Sequence, residues 1–333
     1  MMQLRVWAML ALAKGGLTVV SLFDGIGAAL MALVLAARIP VRRIITVEID
    51  AQATAAAKGN FAVFIKENNV AWTRLGDVQS ALPGILEALP PGDTVDIVFD
   101  ASPCSVAGRN YHSDDDLTQN SESAFFIDSF HIFQALQENQ PDHPIPYIKE
   151  WLAKKGGPHR GGSARVTHIE QLRECYELPP VETDASVTDI APRLRSWHTN
   201  IPVRFPSHAE LAAVRPRQPE DVLLGAARLA TQHEPIRGVT THSSEGSHVN
   251  YDDDDPSKTR PLHQGEKLAA LGIPAHFSYN LPVVTAAQPG HTAAGCAWAP
   301  SQAALVMIPL CDAWRACGGP FYPPESARRW AAL

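Results

Sequence analysis

From Leu17 to Asp100 the chain alternates short β-branched runs with Ala- and Leu-rich stretches, and this alternation restricts the fold more than any other feature. LTVVSLF, RRIITVEID, a short run near AWTRLGD, and TVDIVFD read as strands, each ending where polar or glycine residues begin. The intervening segments predict helices over Ala28 to Ala37, Ala51 to Gly59 and Ala81 to Ala88. Strands joined by crossover helices pair in parallel, so the expected class is α/β, a Rossmann-like sheet. Ligands of such sheets sit at the carboxyl ends of the strands.

Beyond Asp100 the pattern continues with a helix in SAFFIDSFHIFQALQ and a strand at IPYI. KKGGPHRGGSAR, basic and glycine-rich, reads as a solvated insertion. From Ile201 to Thr259 the periodicity fades and Pro, His and Ser gather, which predicts a small irregular lobe. The run Asp252 to Asp255 lacks the spaced ligands and glycine of a calcium loop, and no metal site is assigned. Regular structure returns with GEKLAALGI and a last apolar helix, SQAALVMIPLCDAW. The expected division is one large domain, 1–200 plus 260–333, with 201–259 as the appendage. A chain of 333 residues, 45% of them hydrophobic, can bury one core of that size.

Five scattered cysteines, Cys104, Cys175, Cys296, Cys311 and Cys317, fit neither a disulfide framework nor a zinc site, so a reducing, intracellular compartment is expected. MMQLRVWAMLALA carries one Arg and a short apolar run that could pass for a signal peptide; a buried segment leading into the first strand is the preferred reading. Neither it nor ALMALVLAARI reaches the roughly 20 residues of a membrane span, and no membrane association is expected. A net charge of −7 sits awkwardly with binding a polyanion, although the distribution of the 28 Lys and Arg matters more than the sum.

The chemistry-bearing residues stand at the strand ends. The first strand runs into Phe23-Asp24-Gly25-Ile26-Gly27 and then an Ala-rich helix, and Gly25 and Gly27 let backbone approach a ligand closely at a helix N-terminus. Glu48-Ile49-Asp50 ends the second strand, about twenty residues on, where an acidic side chain meets ribose hydroxyls in nucleoside-binding folds. Asp77 ends the third, placed to accept from an adenine amino group. Singly, Glu48 and Asp77 are ordinary solvated strand ends; their order on successive strands points to a nucleoside. The fourth strand leads into Ala101-Ser102-Pro103-Cys104, which puts a thiol among Ser, Pro and Gly at the edge where ligands bind, as expected of a nucleophile.

On these residues the chain resembles the cytosine-5 DNA methyltransferase family, and within it the animal de novo enzymes. FDGIG resembles the family's first motif, Glu48 its second, Gly76-Asp77-Val78 its third, and Ser102-Pro103-Cys104 the Pro-Cys motif. Gly295-Cys296-Ala297-Trp298-Ala299 looks like that branch's Gly-Arg-Ser-Trp-Ser, with Cys296 where the branch has Arg. RPLHQGEKLAALGIP resembles the ninth motif, whose role is architectural, and Arg193-Leu194-Arg195 resembles the paired arginines that contact the target base.

The resemblance implies a methyltransferase fold that binds S-adenosylmethionine through Phe23, Asp24, Gly25, Ile26, Gly27, Glu48, Ile49, Asp77, Val78 and Trp298. Cys104 would be the nucleophile, with Glu150, Arg193 and Arg195 as its catalytic partners. Ser105, Arg109 and Asn110 would contact double-stranded DNA, and the 201–259 lobe would read flanking bases. Two glutamates suit the family's catalytic Glu, Glu138 and Glu150. Glu150 is preferred because IPYI can deliver it to the cleft as a strand, whereas Glu138 ends a helix. Its neighbour is then Trp151 rather than the usual Asn. Methylation of transfer RNA cytosines, or a silent paralogue regulating an active partner, are the alternatives. Homo- or hetero-oligomers through the methyltransferase domain follow from the same resemblance, as does a nuclear location in a eukaryote and a cytoplasmic one in a prokaryote or virus.

Overall fold

The computed structural model describes residues 2–103, 121–152, 179–184, 193–204, 228–229, 248–250, 258–274, 277 and 298–332. Its frame is a seven-stranded sheet in the order β3-β2-β1-β4-β5-β7-β6. Centrally lies β1 (Leu17–Leu22), buried at every position, as befits a strand covered on both faces. It pairs in parallel with β2 (Val41–Val47) on one side and β4 (Ile97–Asp100) on the other. The parallel array extends outward to β3 (Ala71–Leu75) and β5 (Tyr147–Leu152). Strand β7 (Leu194–Thr199) is inserted antiparallel between β5 and β6 (Val181–Asp184).

The strand order runs from β1 out to β3 and then resumes on the other side of β1 with β4. The connections after β1 and β4 therefore leave in opposite directions, which opens a crevice at the carboxyl ends of these two strands. The anticipated α/β, Rossmann-like class is what the chain forms.

Helices cover both faces. Before β1 comes α1 (Met2–Ala13), whose Trp7, Ala8 and Ala11 are buried and whose Trp7 indole donates to the Asp96 carbonyl at 2.6 Å. The helix expected over Ala28 to Ala37 forms as α2 (Ala28–Met31), continued by a wider π-coil over Ala32–Ala37 in which the Arg38 N–H reaches the Leu33 carbonyl. Then follow α3 (Ala51–Asn60), α4 (Ala62–Glu67), α5 (Ala81–Glu87) and α6 (Ser121–Asn139). One core gathers Trp7, Leu33, Phe61, Trp298 and Trp314 on one side of the sheet; the other holds Val20, Ile85, Val98, Leu136 and Tyr147.

Two differences from expectation have physical causes. Strand β5 starts at Tyr147 and runs past IPYI to Leu152, because Lys149 and Glu150 find partners on opposite faces of the sheet. The single helix expected in SQAALVMIPLCDAW is two, α8 (Pro300–Val306) and α9 (Ile308–Ala316), with α7 (Gln264–Ala270) before them. Pro309 has no N–H to continue the first helix and its ring would strike the preceding turn. A further amphipathic helix, α10 (Pro324–Ala332), closes the described chain, its Trp330 stacked edge-on to Phe64.

Part of the lobe expected to be irregular is ordered as strands. β8 (Arg228–Leu229) and β9 (His248–Asn250) pair antiparallel with each other, and β9 with β10 (Thr259–Pro261), which crosses the anticipated boundary at residue 259. Arg260 then grips the buried Glu266 of α7 with two hydrogen bonds of 2.7 and 2.8 Å, fixing that helix to the small sheet. Among the described residues no helix is long and apolar enough to cross a membrane.

Candidate active site

At the carboxyl end of β1 the backbone turns sharply, with Phe23 at φ 55°, Gly25 at 55° and Gly27 at 87°. A positive φ at a phenylalanine is unusual, and it persists where surrounding contacts enforce it. Phe23 N–H donates to the Val47 carbonyl at 2.8 Å and its ring lies 5.6 Å from that of Phe125. Gly27 has no room for a side chain, since a Cβ there would come within 2.8 Å of the Phe61 ring, whereas a Cβ at Gly25 would meet nothing within 4 Å.

This turn is tied to the end of β2 by Glu48. One carboxylate oxygen accepts from Gly25 N–H at 2.9 Å and the other from Asp50 N–H at 2.8 Å. A carboxylate offers about four acceptor positions, so half remain for a ligand. Ile49, next along, is 75% exposed. Asp50 turns away and caps α3, accepting from Gln52 and Ala53 N–H. Beneath the turn lies Asp24, buried and accepting from the Ser21 hydroxyl at 2.5 Å. Burial pushes its carboxyl up to about 7; the Ser21 hydrogen bond opposes the rise and the neighbouring charge of Glu48 adds to it.

Asp77 is exposed at the end of β3, its carboxylate accepting from Gln79 N–H at 3.0 Å. Ile26, Val78 and Trp298 are buried. Ile26 and Val78 point their side chains into the two cores, leaving only backbone for a ligand. Trp298 is 1% exposed, packed edge-on against Phe99 and Trp197 at 5.8 and 5.1 Å.

On the other side of the switch point, β5 and β7 bring Glu150, Arg193 and Arg195 together. Glu150 pairs across the ladder with Trp197, and Leu152 with Arg195, so Glu150 and Arg195 are diagonal neighbours on one face. Arg195 Nε approaches Glu150 Oε1 to 2.8 Å and Arg193 Nε to 3.6 Å, with all three side chains largely shielded from water. Gln302 of α8 holds this edge, its amide donating to the carbonyls of Arg193 at 2.8 Å and Thr183 at 3.0 Å. Glu138, the other candidate, is exposed on the last turn of α6.

Sequence reasoning missed a buried polar cluster on the opposite face. Lys149, 0% exposed, sets its ammonium 2.6 Å from Asp100 Oδ2 and also donates to the Ser102 hydroxyl. Tyr147 and Ser129 hydroxyls donate to the same Asp100 oxygen, and Ser102 N–H to the other at 2.8 Å. A lysine inside an otherwise apolar strand, one residue before Glu150, was the available signal.

Cys104, Ser105, Arg109 and Asn110 lie outside the described residues, as does Cys296; the chain is described up to Pro103, the residue that leads into Cys104. Of the described cysteines, Cys311 is a thiol that burial pushes up to about 11. Among the described residues no group of His, Cys, Asp and Glu could hold a metal ion.

No protein-family model matches the chain. No curated protein matches it either. Among solved structures it is similar to EhMeth, a methyltransferase of Entamoeba histolytica, with a TM-score of 0.60 and 12% identity over 89% of this chain and 98% of that one. That likeness is one of fold: the seven-stranded sheet is structurally similar to that of Rossmann-like methyltransferases. The C-terminal domain of a precorrin-6Y C5,15-methyltransferase from Rhodobacter capsulatus superposes on 58% of the chain and 86% of its own at 15% identity, and its TM-score of 0.30 adds nothing further.

Proposed function

We propose that the chain is an S-adenosylmethionine-dependent methyltransferase acting on carbon 5 of cytosine in double-stranded DNA, with Cys104 as nucleophile. The observation that carries this reading is the meeting of Glu150 and Arg195 beside the strand that leads into Cys104. Lys149 stands level with Asp100 in the β4–β5 ladder, so Glu150 comes level with the start of the Ala101-Ser102-Pro103 segment. A carboxyl group steered by arginine, on the strand beside the one that continues toward Cys104, is what activation of a pyrimidine ring demands.

The residues at the ends of β1 and β2 fit the cofactor. Glu48 has acceptor positions left for ribose hydroxyls, and the exposed Ile49 offers an apolar surface to a purine face. The open space at Gly25 leaves room for a ligand against the backbone. When bound, the sulfonium supplies an electrophilic methyl group.

Carbon 5 of cytosine is a poor nucleophile, so the ring must first be activated at carbon 6. The Cys104 thiolate forms a bond to carbon 6 while Glu150 holds the ring nitrogen and favours its protonated form. Arg195, with Arg193 behind it, stabilises the charge that gathers on the exocyclic oxygen. Carbon 5 then takes the methyl group, loses its proton to a base, and expels Cys104 as the ring regains its double bond. The target base must leave the duplex to reach this pocket, at a cost of a few kcal/mol.

Incubation with S-adenosylmethionine and duplex DNA containing 5-fluorocytosine tests the reading, since fluorine cannot leave as a proton does. A denaturation-resistant adduct lost in Cys104→Ser is the expected result. An adduct with fluorinated transfer RNA alone would move the substrate to RNA, and none with either would end the proposal.

A further inference from the structure

The cluster around Lys149 has no place in the chemistry just described, and folding stability is a poor explanation for it. Burying an ammonium and a carboxylate removes both from water, and apolar residues of the same volume commonly stabilise a core as well or better. Here Asp100 accepts four hydrogen bonds: Oδ2 receives Lys149, Tyr147 and Ser129, and Oδ1 receives the Ser102 N–H. The Lys149 ammonium also sits 4.0 Å from the centre of the Phe126 ring. A network this fully satisfied fixes geometry.

What it fixes is Ser102. That residue is gripped twice, by its N–H to Asp100 and by its hydroxyl from Lys149, and both anchors come from rigid strands. Cys104 follows two residues later in the chain. Resting on the cysteine-nucleophile reading above, we infer that Lys149, clamped by Asp100, is a positioning residue that sets the Ser102-Pro103 stem and thereby aims Cys104. The same strand thus serves the site from both faces, Glu150 on one and Lys149 on the other.

The test compares wild type with Ser102→Ala, Ser102→Thr and the charge-neutral pair Asp100→Asn with Lys149→Met, which keeps the side-chain volumes. Adduct formation on fluorocytosine DNA at saturating cofactor and DNA should slow on the order of tenfold to a hundredfold in S102A and in the double variant, the scale of a small misplacement of a reacting atom. S102T, which keeps the hydroxyl, should restore the rate, while the dissociation constant for S-adenosylmethionine stays within about twofold throughout, because the cofactor groups are bound from other strands. Wild-type rates in both folded variants would overturn the inference. Iodoacetamide labelling of Cys104, followed by peptide mass mapping, separates this inference from the reading beneath it because it needs no substrate. If wild type forms no adduct at all, the cytosine-5 reading fails, and the inference stands or falls on whether S102A changes the labelling rate. If S102A does not fold, S102T and the double variant carry the comparison.

Discussion

Arg195 reaches diagonally across the β5–β7 ladder to place its Nε 2.8 Å from Oε1 of Glu150. The contact is shielded from water, and Arg193 backs it at 3.6 Å. A carboxylate so placed has its direction set before any substrate arrives. Glu150→Gln should therefore lower methyl transfer to DNA by on the order of a hundredfold to a thousandfold, the scale seen when one preorganised polar group is removed from a transition state. Tritium transfer from labelled cofactor measures it, and an unchanged rate would remove Glu150 from the mechanism.

Glu48 ties the β1 turn to the end of β2 and is the proposed acceptor for ribose hydroxyls. Glu48→Ala should weaken S-adenosylmethionine binding roughly tenfold to a hundredfold, since hydrogen bonds to a charged group contribute about 1.5–3 kcal/mol. Isothermal titration calorimetry reads this directly. Glu138→Ala, on the exposed end of α6, serves as the control and should leave the affinity unchanged.

The two glycines of the turn separate folding from binding. Gly27→Ala forces a methyl group into the Phe61 ring at a positive φ, and should destabilise the protein by about 1–3 kcal/mol in thermal or urea unfolding. Gly25→Ala meets no atom, so it should cost stability only through its positive φ, by about 1 kcal/mol, while impairing cofactor binding more than Gly27→Ala does per unit of stability lost. Equal losses of stability in the two variants would contradict this assignment.

Asp24 should make stability depend on pH in an unusual direction. Its folded carboxyl sits at about 7 against an ordinary value of 3.8, so the folded state holds the proton more tightly than the unfolded chain. Its contribution is complete below about pH 3.8, is lost as pH rises toward about 7, and stays lost above. The ceiling is roughly 4 kcal/mol at 1.36 kcal/mol per pKa unit. Asp24→Asn should flatten unfolding free energy between pH 5 and 8 relative to wild type. A cationic ligand near Asp24 would favour the carboxylate, so cofactor binding near neutral pH should release protons.

The parallel half of the sheet was legible because β1, β2 and β4 are short runs rich in Val, Ile and Leu, the composition of strands covered on both faces. Gly25, Gly27, Glu48 and Asp77 were legible for a related reason: each stands where such a run ends. Strands β6 and β7 escaped because VETD and LRSWHT mix polar with apolar residues and owe their pairing to partners distant in sequence. Lys149 escaped because a lysine reads as solvated until Asp100, Tyr147 and Phe126 are brought around it. Trp298 was read for its motif, and its volume then decided its place between Phe99 and Trp197.

The antiparallel seating of β7 carries a consequence for how the protein comes into being. Glu150 is synthesised well before the arginine that orients it, and the two meet only when a later segment threads back between β5 and β6. The β1 turn and the end of β2 are tied instead by residues close in sequence, Glu48 to Gly25 and Asp50. Ligand-binding competence and chemical competence should therefore be separable in time during refolding, with fluorescence-monitored cofactor capture recovering ahead of turnover.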